Sequence, residues 1–277
     1  MAEELRYAYL ASGTQLTIPA RVGYSHRVVE MFIDSPAERS YVDVYVGPRI
    51  VARFPVKWND CLFFAPNLGS INNMSLFGWI RNVFGEDFVI EADPSEDITF
   101  RFSASQIGVH VFYTETTEGV DKTKPLRSLS PMRVLFHILT HSAVINATKN
   151  YSLDVPVVPT GFSEIKDGFI VPSGRQLIIK GLAFGSFKSG TTTATKLHFW
   201  KENYEYFTPD RAGIHVERDR NFLVFDITRN DFFTFPDITC NSGEKLSLNF
   251  DATYDGTNTI SAQTLALFII GLEQPAR

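Results

Sequence analysis

The feature that most constrains this chain is residues 96–104, Glu-Asp-Ile-Thr-Phe-Arg-Phe-Ser-Ala, because a near copy stands at 244–252, Glu-Lys-Leu-Ser-Leu-Asn-Phe-Asp-Ala. In the first copy Ile98, Phe100 and Phe102 alternate with Thr99, Arg101 and Ser103; in the second Leu246, Leu248 and Phe250 alternate with Ser247, Asn249 and Asp251. A period of two is that of a strand with one face on a core and the other on water. Each copy follows a turn, Asp93-Pro94-Ser95 or Asn241-Ser242-Gly243. The match extends upstream: residues 168–172 resemble 15–19, and 177–180 resemble 27–30. The offsets stay near 150, from Val28 to Ile178, and 148, from Ile98 to Leu246. One β-domain written twice accounts for the shared order and spacing.

A chain of 277 residues has room for two domains of about 100–150 residues, each with its own core. Its 24 Phe and 10 Tyr favour strands over helices. The net charge of −5 offers no basic field to nucleic-acid phosphate, so direct nucleic-acid binding is not expected. Cys61 and Cys240 suggest neither a disulfide framework nor a zinc site, which fits intracellular synthesis and assembly better than secretion. The first residues lack a basic head followed by an apolar run, and no apolar run reaches the ~18 residues of a membrane helix. Neither a signal peptide nor a transmembrane segment is expected.

Taken in order, the chain reads as strands at 5–19 (broken at Ser12-Gly13), 25–33, 41–46, 49–54, 61–64, 88–91, 98–104 and 108–115. Gly47-Pro48 punctuates a hairpin between the third and fourth. Within 67–85, Met74, Phe77, Ile80, Val83 and Phe84 recur at three- and four-residue steps, which predicts a helix. Residues 116–125 turn polar and read as a linker. Beyond them Ser130-Pro131 suits a helix start, with Val134, Leu135, Ile138 and Leu139 as its apolar side, yet 132–145 is apolar enough to be strand. In the second half strands are expected from Tyr151 onward, at 196–200, 213–217, 222–227, 232–235 and 264–272. The expected fold is all-β, two tandem jelly-roll-like β-sandwich domains with one or two short helices. The domains are 1–118 and 150–277, and 119–149 links them with a helix or a strand.

The search for chemistry returns no catalytic, cofactor-binding or metal-ligating residues. His137 and His141 are four apart, which on a helix would place two imidazoles on one face, but no glutamate lies between them as a metalloprotease motif requires. A metal-dependent bicupin needs a His-x-His pair, whereas His110 and His198 each stand alone. The acidic segments 93–97 and 255–258 have turn chemistry rather than calcium-loop spacing. Cys61 lies in an apolar strand context, and there is no Gly-x-Ser-x-Gly or glycine-rich phosphate loop. Trp58, Trp200, Tyr204, Tyr206 and Phe207 would serve either as core and subunit contacts or as a platform on which sugar rings stack.

The tandem β-domains over about 5–115 and 150–273, with no catalytic cluster, resemble the double jelly-roll major capsid proteins of tailless icosahedral viruses. That resemblance implies two barrels side by side, three chains in a homotrimer of pseudo-hexagonal outline, and trimers tiling a virion shell, including a bacteriophage shell. Expected partners are then further copies of the chain and other virion proteins. The alternative is a tail, spike or decoration protein that binds a surface carbohydrate or another virion protein, for which a pentamer or a sugar-binding monomer is expected.

Overall fold

The computed structural model describes residues 3–58, 61–64, 77, 88–127, 129–185, 188–207 and 237–277. The chain divides into two units, one within Met1–Phe136 and the other within His137–Asp226 and Asp231–Arg277.

The first unit carries β1 (Glu4–Ile18), β2 (Ser25–Ser35), β3 (Ser40–Val46), β4 (Arg49–Trp58), β5 (Cys61–Leu62), β6 (Glu91–Ala92), β7 (Ile98–Thr116) and the start of β8 (Arg133–Thr140). The organising strand is β7, 19 residues long. Its first third pairs with β3 on one side and the end of β1 on the other: Val44 and Leu16 both face Phe100. Its last third lies between β2 and the start of β1, with Phe32 and Tyr9 both opposite His110. Ile98, Phe100 and Phe102 are buried toward the core while Arg101 and Ser103 are exposed, as a period of two demands. Past the slip opposite Gly13 and Gln15 the phase moves by one, so that Val109 and Val111 are the buried positions. The next strands, β3 and β4, form the expected hairpin about Gly47. Residues 51–56 of β4 are buried on both faces. Phe54 there meets Phe64, Phe77, Phe88 and Phe136 at centroid distances of 5.6–6.4 Å. Each such ring contributes roughly 1.5–3 kcal/mol by leaving water. Pro55, opposite Tyr41, sits beside the slip at Val56 that interrupts the β3–β4 ladder, a setting in which strand prolines are tolerated.

The second unit holds β9 (Lys149–Ser152), β10 (Ser163–Ile165), β11 (Gly168–Ile170), β12 (Arg175–Gly185), β13 (Lys188–Ser189), β14 (Thr192–Lys201), β15 (Tyr204–Phe207), β16 (Ile238–Cys240), β17 (Lys245–Thr253) and β18 (Ala266–Pro275). One ladder runs β10-β11-β17-β14-β13, with β15 on β14 and β9 on β17; another places β12 between β16 and β18. Phe169, Leu197, Phe199, Leu246, Leu248 and Phe250 are fully or almost fully buried.

The two units share a pairing scheme. Val42, Val44 and Val46 of β3 face Phe102, Phe100 and Ile98; Leu197, Phe199 and Lys201 of β14 face Phe250, Leu248 and Leu246. The hairpin ladder slips between Val44 and Tyr45 in one unit and between Phe199 and Trp200 in the other. Arg27 faces Glu91 as Ile178 faces Thr239, and β2 and β12 are each 11 residues long with one slip early in the strand. Even the turns agree: Glu96 N donates to Asp93 O, and Glu244 N to Asn241 O, at 2.9 and 3.0 Å. A slip costs an extra, unpaired residue and bends the strand. Matching slips therefore show that the two ladders curve at matching places.

The structure corrects several expectations. Residues 98–104 and 108–115 are one strand, β7, and 5–19 is one strand that slips between Gly13 and Gln15 without breaking. Of the two readings open for 132–145, helix or strand, the strand holds, as β8. Its apolar run is buried at every position from Val134 to Thr140, and Ala52 and Arg53 of β4 lie parallel to Val134 and Leu135. A run buried on both faces shows no period to tell strand from helix. Ser130 Oγ does accept a bond from Met132 N, at 3.2 Å, but the turn leads into a strand. Leu126 and Arg127, within the expected linker 119–149, are buried. Of the expected helix at 67–85 only Phe77 is described, and it is helical and buried; the rest lies outside the described residues. The expected strands at 213–217, 222–227 and 232–235 also lie outside the described residues.

Candidate functional site

The outer face of the β1–β7–β2 ladder carries an unusual concentration of rings. Leu5, Tyr7 and Tyr9 point outward from alternate positions of β1 and are 63, 51 and 51% exposed, far more than a core-facing strand allows. Tyr7 and Tyr9 lie with ring planes 16° apart and centroids 6.3 Å apart. His110 sits 5.0 Å from Tyr9, Phe112 5.3 Å from Tyr7, and Phe32 meets Phe112 edge-on at 6.2 Å. A chain of hydrogen bonds stiffens the face: Tyr7 Oη lies 2.7 Å from His110 Nδ1, and His110 Nε2 lies 2.9 Å from Asp34 Oδ2. With the imidazole neutral, the phenol donates to Nδ1 and Nε2–H donates to the carboxylate.

Ionisable side chains near this face tie strands together rather than converge on a cavity. Glu115, buried at the end of β7, accepts from Arg6 Nε at 3.1 Å and from Arg21, and lies 3.3 Å from His26 Nε2. Burial works to raise its pKa, but the His26 bond and the two arginines outweigh it and hold the carboxyl below its ordinary value. Glu91 is buried between Arg27 and Arg127, 2.5 and 2.6 Å away. Arg53 makes a two-pronged bond to Asp43, at 2.6 and 2.7 Å, and stacks on Tyr41. In each case the partners come from different strands or different ends of a hairpin.

The residues singled out in the sequence fall as follows. His137, wholly buried, stacks on Phe169 with planes 11° apart and centroids 4.4 Å apart. His141 bonds backbone through both ring nitrogens, to Ala143 O and from Leu265 N. His198 lies 3.2 Å from Asp251, and His215 is outside the described residues. Asp255 takes bonds from Thr257 N, Asn258 N, Thr191 N, Thr191 Oγ1 and Asn258 Nδ2, all within 3.1 Å. Those bonds, Asn258's first, hold its carboxyl far below the ordinary value, and both oxygens are committed to the turn. Segment 93–97 is likewise a turn: Asp93 pairs with Lys122 at 2.9 Å, and Glu96 is raised by burial and then by Asp93. Among the described residues no group of three His, Cys, Asp or Glu has metal-binding geometry. Cys240 is buried, which pushes its thiol up to about 12 and away from nucleophilic reactivity. Trp58 belongs to the first core, Trp200 is half-buried and Tyr204 is exposed. The face formed by Tyr7, Tyr9, Phe32, His110 and Phe112 was not anticipated. Its signal is the alternation of Leu5, Tyr7 and Tyr9, apolar at every second position of a strand whose other face is only partly covered.

No protein-family model and no curated protein matches the chain. Among solved structures, the chain is similar to the major capsid protein P2 of bacteriophage PM2, at 10% identity and a TM-score of 0.44, over 99% of this chain and 98% of that one. It is also similar to PNGase F, a glycosylasparaginase from Flavobacterium meningosepticum, at 11% identity and a TM-score of 0.29, over 94 and 89% of the two chains. The resemblance to the capsid protein is one of architecture.

Proposed function

We propose that this chain is a structural virion protein, a shell component whose work is to bind copies of itself, without catalysis. The observation that carries the reading is the pairing scheme shared by the two units, slips and turns included. We read it as internal duplication of one jelly-roll domain, within 1–118 and again within 150–277. A duplicated domain presents two related surfaces per chain, and a ring of three chains then meets its neighbours through six similar positions. The exposed rings of β1, β2 and β7 are suited to such contacts, since aromatic residues are enriched in the cores of interfaces. The capsid role of the PM2 protein is the same in kind. Other virion proteins are further partners under this reading, and virions its location.

The test is the mass of the purified protein in solution by light scattering, with negative-stain images of the particles. A mass three times the 31.2 kDa of one chain and a pseudo-hexagonal outline are expected. A monomer at concentrations of tens of micromolar would refute the reading. One observation favours a second reading, a tail, spike or decoration protein that binds carbohydrate. The near-parallel, half-exposed Tyr7 and Tyr9 offer flat apolar faces beside the polar His110 and Asp34. A pentamer or monomer that binds glycans on an array, and loses that binding in Tyr9→Ala, would select it.

A further inference from the structure

We propose that His141 is an acid-sensitive latch in the second unit, holding the loop between β17 and β18 onto the end of β8, and that protonation of its Nε2 releases that loop. The inference stands apart from the assembly reading, since it concerns one unit by itself.

The ring follows directly on β8 and is fully buried. Its Nδ1 lies 2.7 Å from Ala143 O, which can only accept, so Nδ1 carries a proton. Its Nε2 receives the backbone N–H of Leu265 at 3.2 Å, so Nε2 must present a lone pair. Only the neutral tautomer protonated on Nδ1 satisfies both neighbours. A second proton on Nε2 would set N–H against N–H and leave the Leu265 amide without its acceptor, inside the unit where no water replaces it.

What the latch holds is specific. Leu265 is the last residue before β18, and its carbonyl accepts from Thr140 Oγ1 at 2.6 Å. Gln263 N donates to His141 O at 2.8 Å, and Gln263 itself sits at φ +60, a left-handed conformation that costs energy in a residue with a side chain. Farther along the same loop, Ile260 exchanges two backbone bonds with Ile145, at 2.9 and 3.1 Å. The loop thus closes on residues 140–145 at three points, and His141 supplies two of them. The groups that face its ring are Ala143 on its own turn, Leu265 from the loop and Phe250 of β17, whose ring stands edge-on at 5.9 Å. None of them titrates. Burial accordingly lowers the His141 pKa below its ordinary value, opposed only by the Ala143 carbonyl. The sign follows: a histidine depressed in the folded state binds its proton more readily once released. The closed loop is therefore fully favoured above about pH 6.5, the ordinary value, and loses stability as pH falls toward the folded-state pKa.

The experiment is hydrogen exchange of the whole chain resolved at the Leu265 and Gln263 amides between pH 7.5 and 5, corrected for intrinsic rates, with the His141 ring nitrogens followed by 15N shifts. Protection at both amides should fall at least tenfold as His141 protonates, while amides in the β2–β7 ladder keep theirs. His141→Gln, which cannot ionise, should show no such pH dependence, and His198→Gln should keep it. Constant protection at Leu265 while His141 titrates would overturn the proposal, as would an imidazole already charged at pH 7 or an unchanged pH profile in His141→Gln. If His141→Gln does not fold, the wild-type comparison of ring shift and amide protection decides by itself.

Discussion

In the first unit, β7 passes from the β3 ladder to the β2 ladder without leaving the sheet; in the second, the same passage is cut into β17 and β18 by residues 254–265. The pairing on either side of the cut is unchanged. In the uncut strand Gly108 lies just past the passage, at φ +67 beside the Asp34 carboxylate, where a side chain would be strained and crowded. In the cut version Asp255 gathers the loop's N–H groups and His141 closes its far end. The surfaces differ more than the ladders do. His110 and Phe112 on the last third of β7 are partly open to water, whereas their register counterparts in β18, Phe268 and Ile270, are buried. Pairing is carried by the backbone and survives a change of side chains, whereas covering a face depends on which side chains arrive from elsewhere. One scheme has therefore produced one strand that is buried on both faces and another that is half open.

The largest effect expected from this comparison lies at its best-matched pair, Phe102 and Phe250, which occupy the same place opposite Val42 and Leu197. Truncating a buried Phe to Ala costs about 3–5 kcal/mol. Phe250 should fall at the upper end, because it also stacks on Tyr151 at 5.8 Å and meets His141, while Phe102 retains some exposure. Urea unfolding of Phe250→Ala and Phe102→Ala measures the difference. A greater loss from Phe102→Ala would mean that shared register does not bring shared packing.

A smaller effect separates the two edge strands β6 and β16. Glu91 is buried between Arg27 and Arg127, and its counterpart Thr239 is exposed. Glu91→Gln removes the charge facing a buried guanidinium. Losses of this kind run to about 3–5 kcal/mol, and the partial exposure of Arg27 places this one near the bottom of that range. Thr239→Ala should move stability by no more than about 0.5 kcal/mol. Equal thermal shifts in the two variants would show that the ion pair adds nothing to the edge it closes.

These pairs also show what was legible in the sequence. Phe102 and Phe250 could be matched from it, because each lies in an alternating strand with a turn at a fixed distance upstream. The Gly47 hairpin was readable for the same reason. By contrast, β8 was not, since a run buried on both faces has no polar beat to reveal its period. The continuity of β7 was hidden because Ser105, Gln106 and Gly108 look like loop chemistry, yet Gln106 turns inward, bonding Ala37 N and the Ala104 carbonyl at 2.8 and 2.9 Å. The site was less legible than the fold. The histidine pair drew attention by its spacing of four, whereas what decides the behaviour of His141 is two backbone groups, one of them 124 residues away. The aromatic face depends on three strands meeting in register, and only the β1 portion of it is written contiguously.

A variant pair with a small expected effect on stability on its open side sharpens the comparison most. Tyr9 faces His110 across the open ladder, and His110 has Phe268 as its counterpart in the buried strand. Tyr9→Ser, alone or with Tyr7→Ser, removes half-exposed rings and should shift the unfolding free energy by about 0.5–1 kcal/mol. Phe268→Ser removes a fully buried side chain and places a hydroxyl in its cavity, so it should cost several times more. If the open face exists to meet other copies of the chain, the tyrosine variants should keep their melting temperature yet lose assembled mass in light scattering. The Phe268→Ser variant should do the reverse at temperatures where it stays folded. Tyrosine variants that melt as wild type and assemble as wild type would leave the face a surface without partners, and the contacts between copies would then have to lie on other strands.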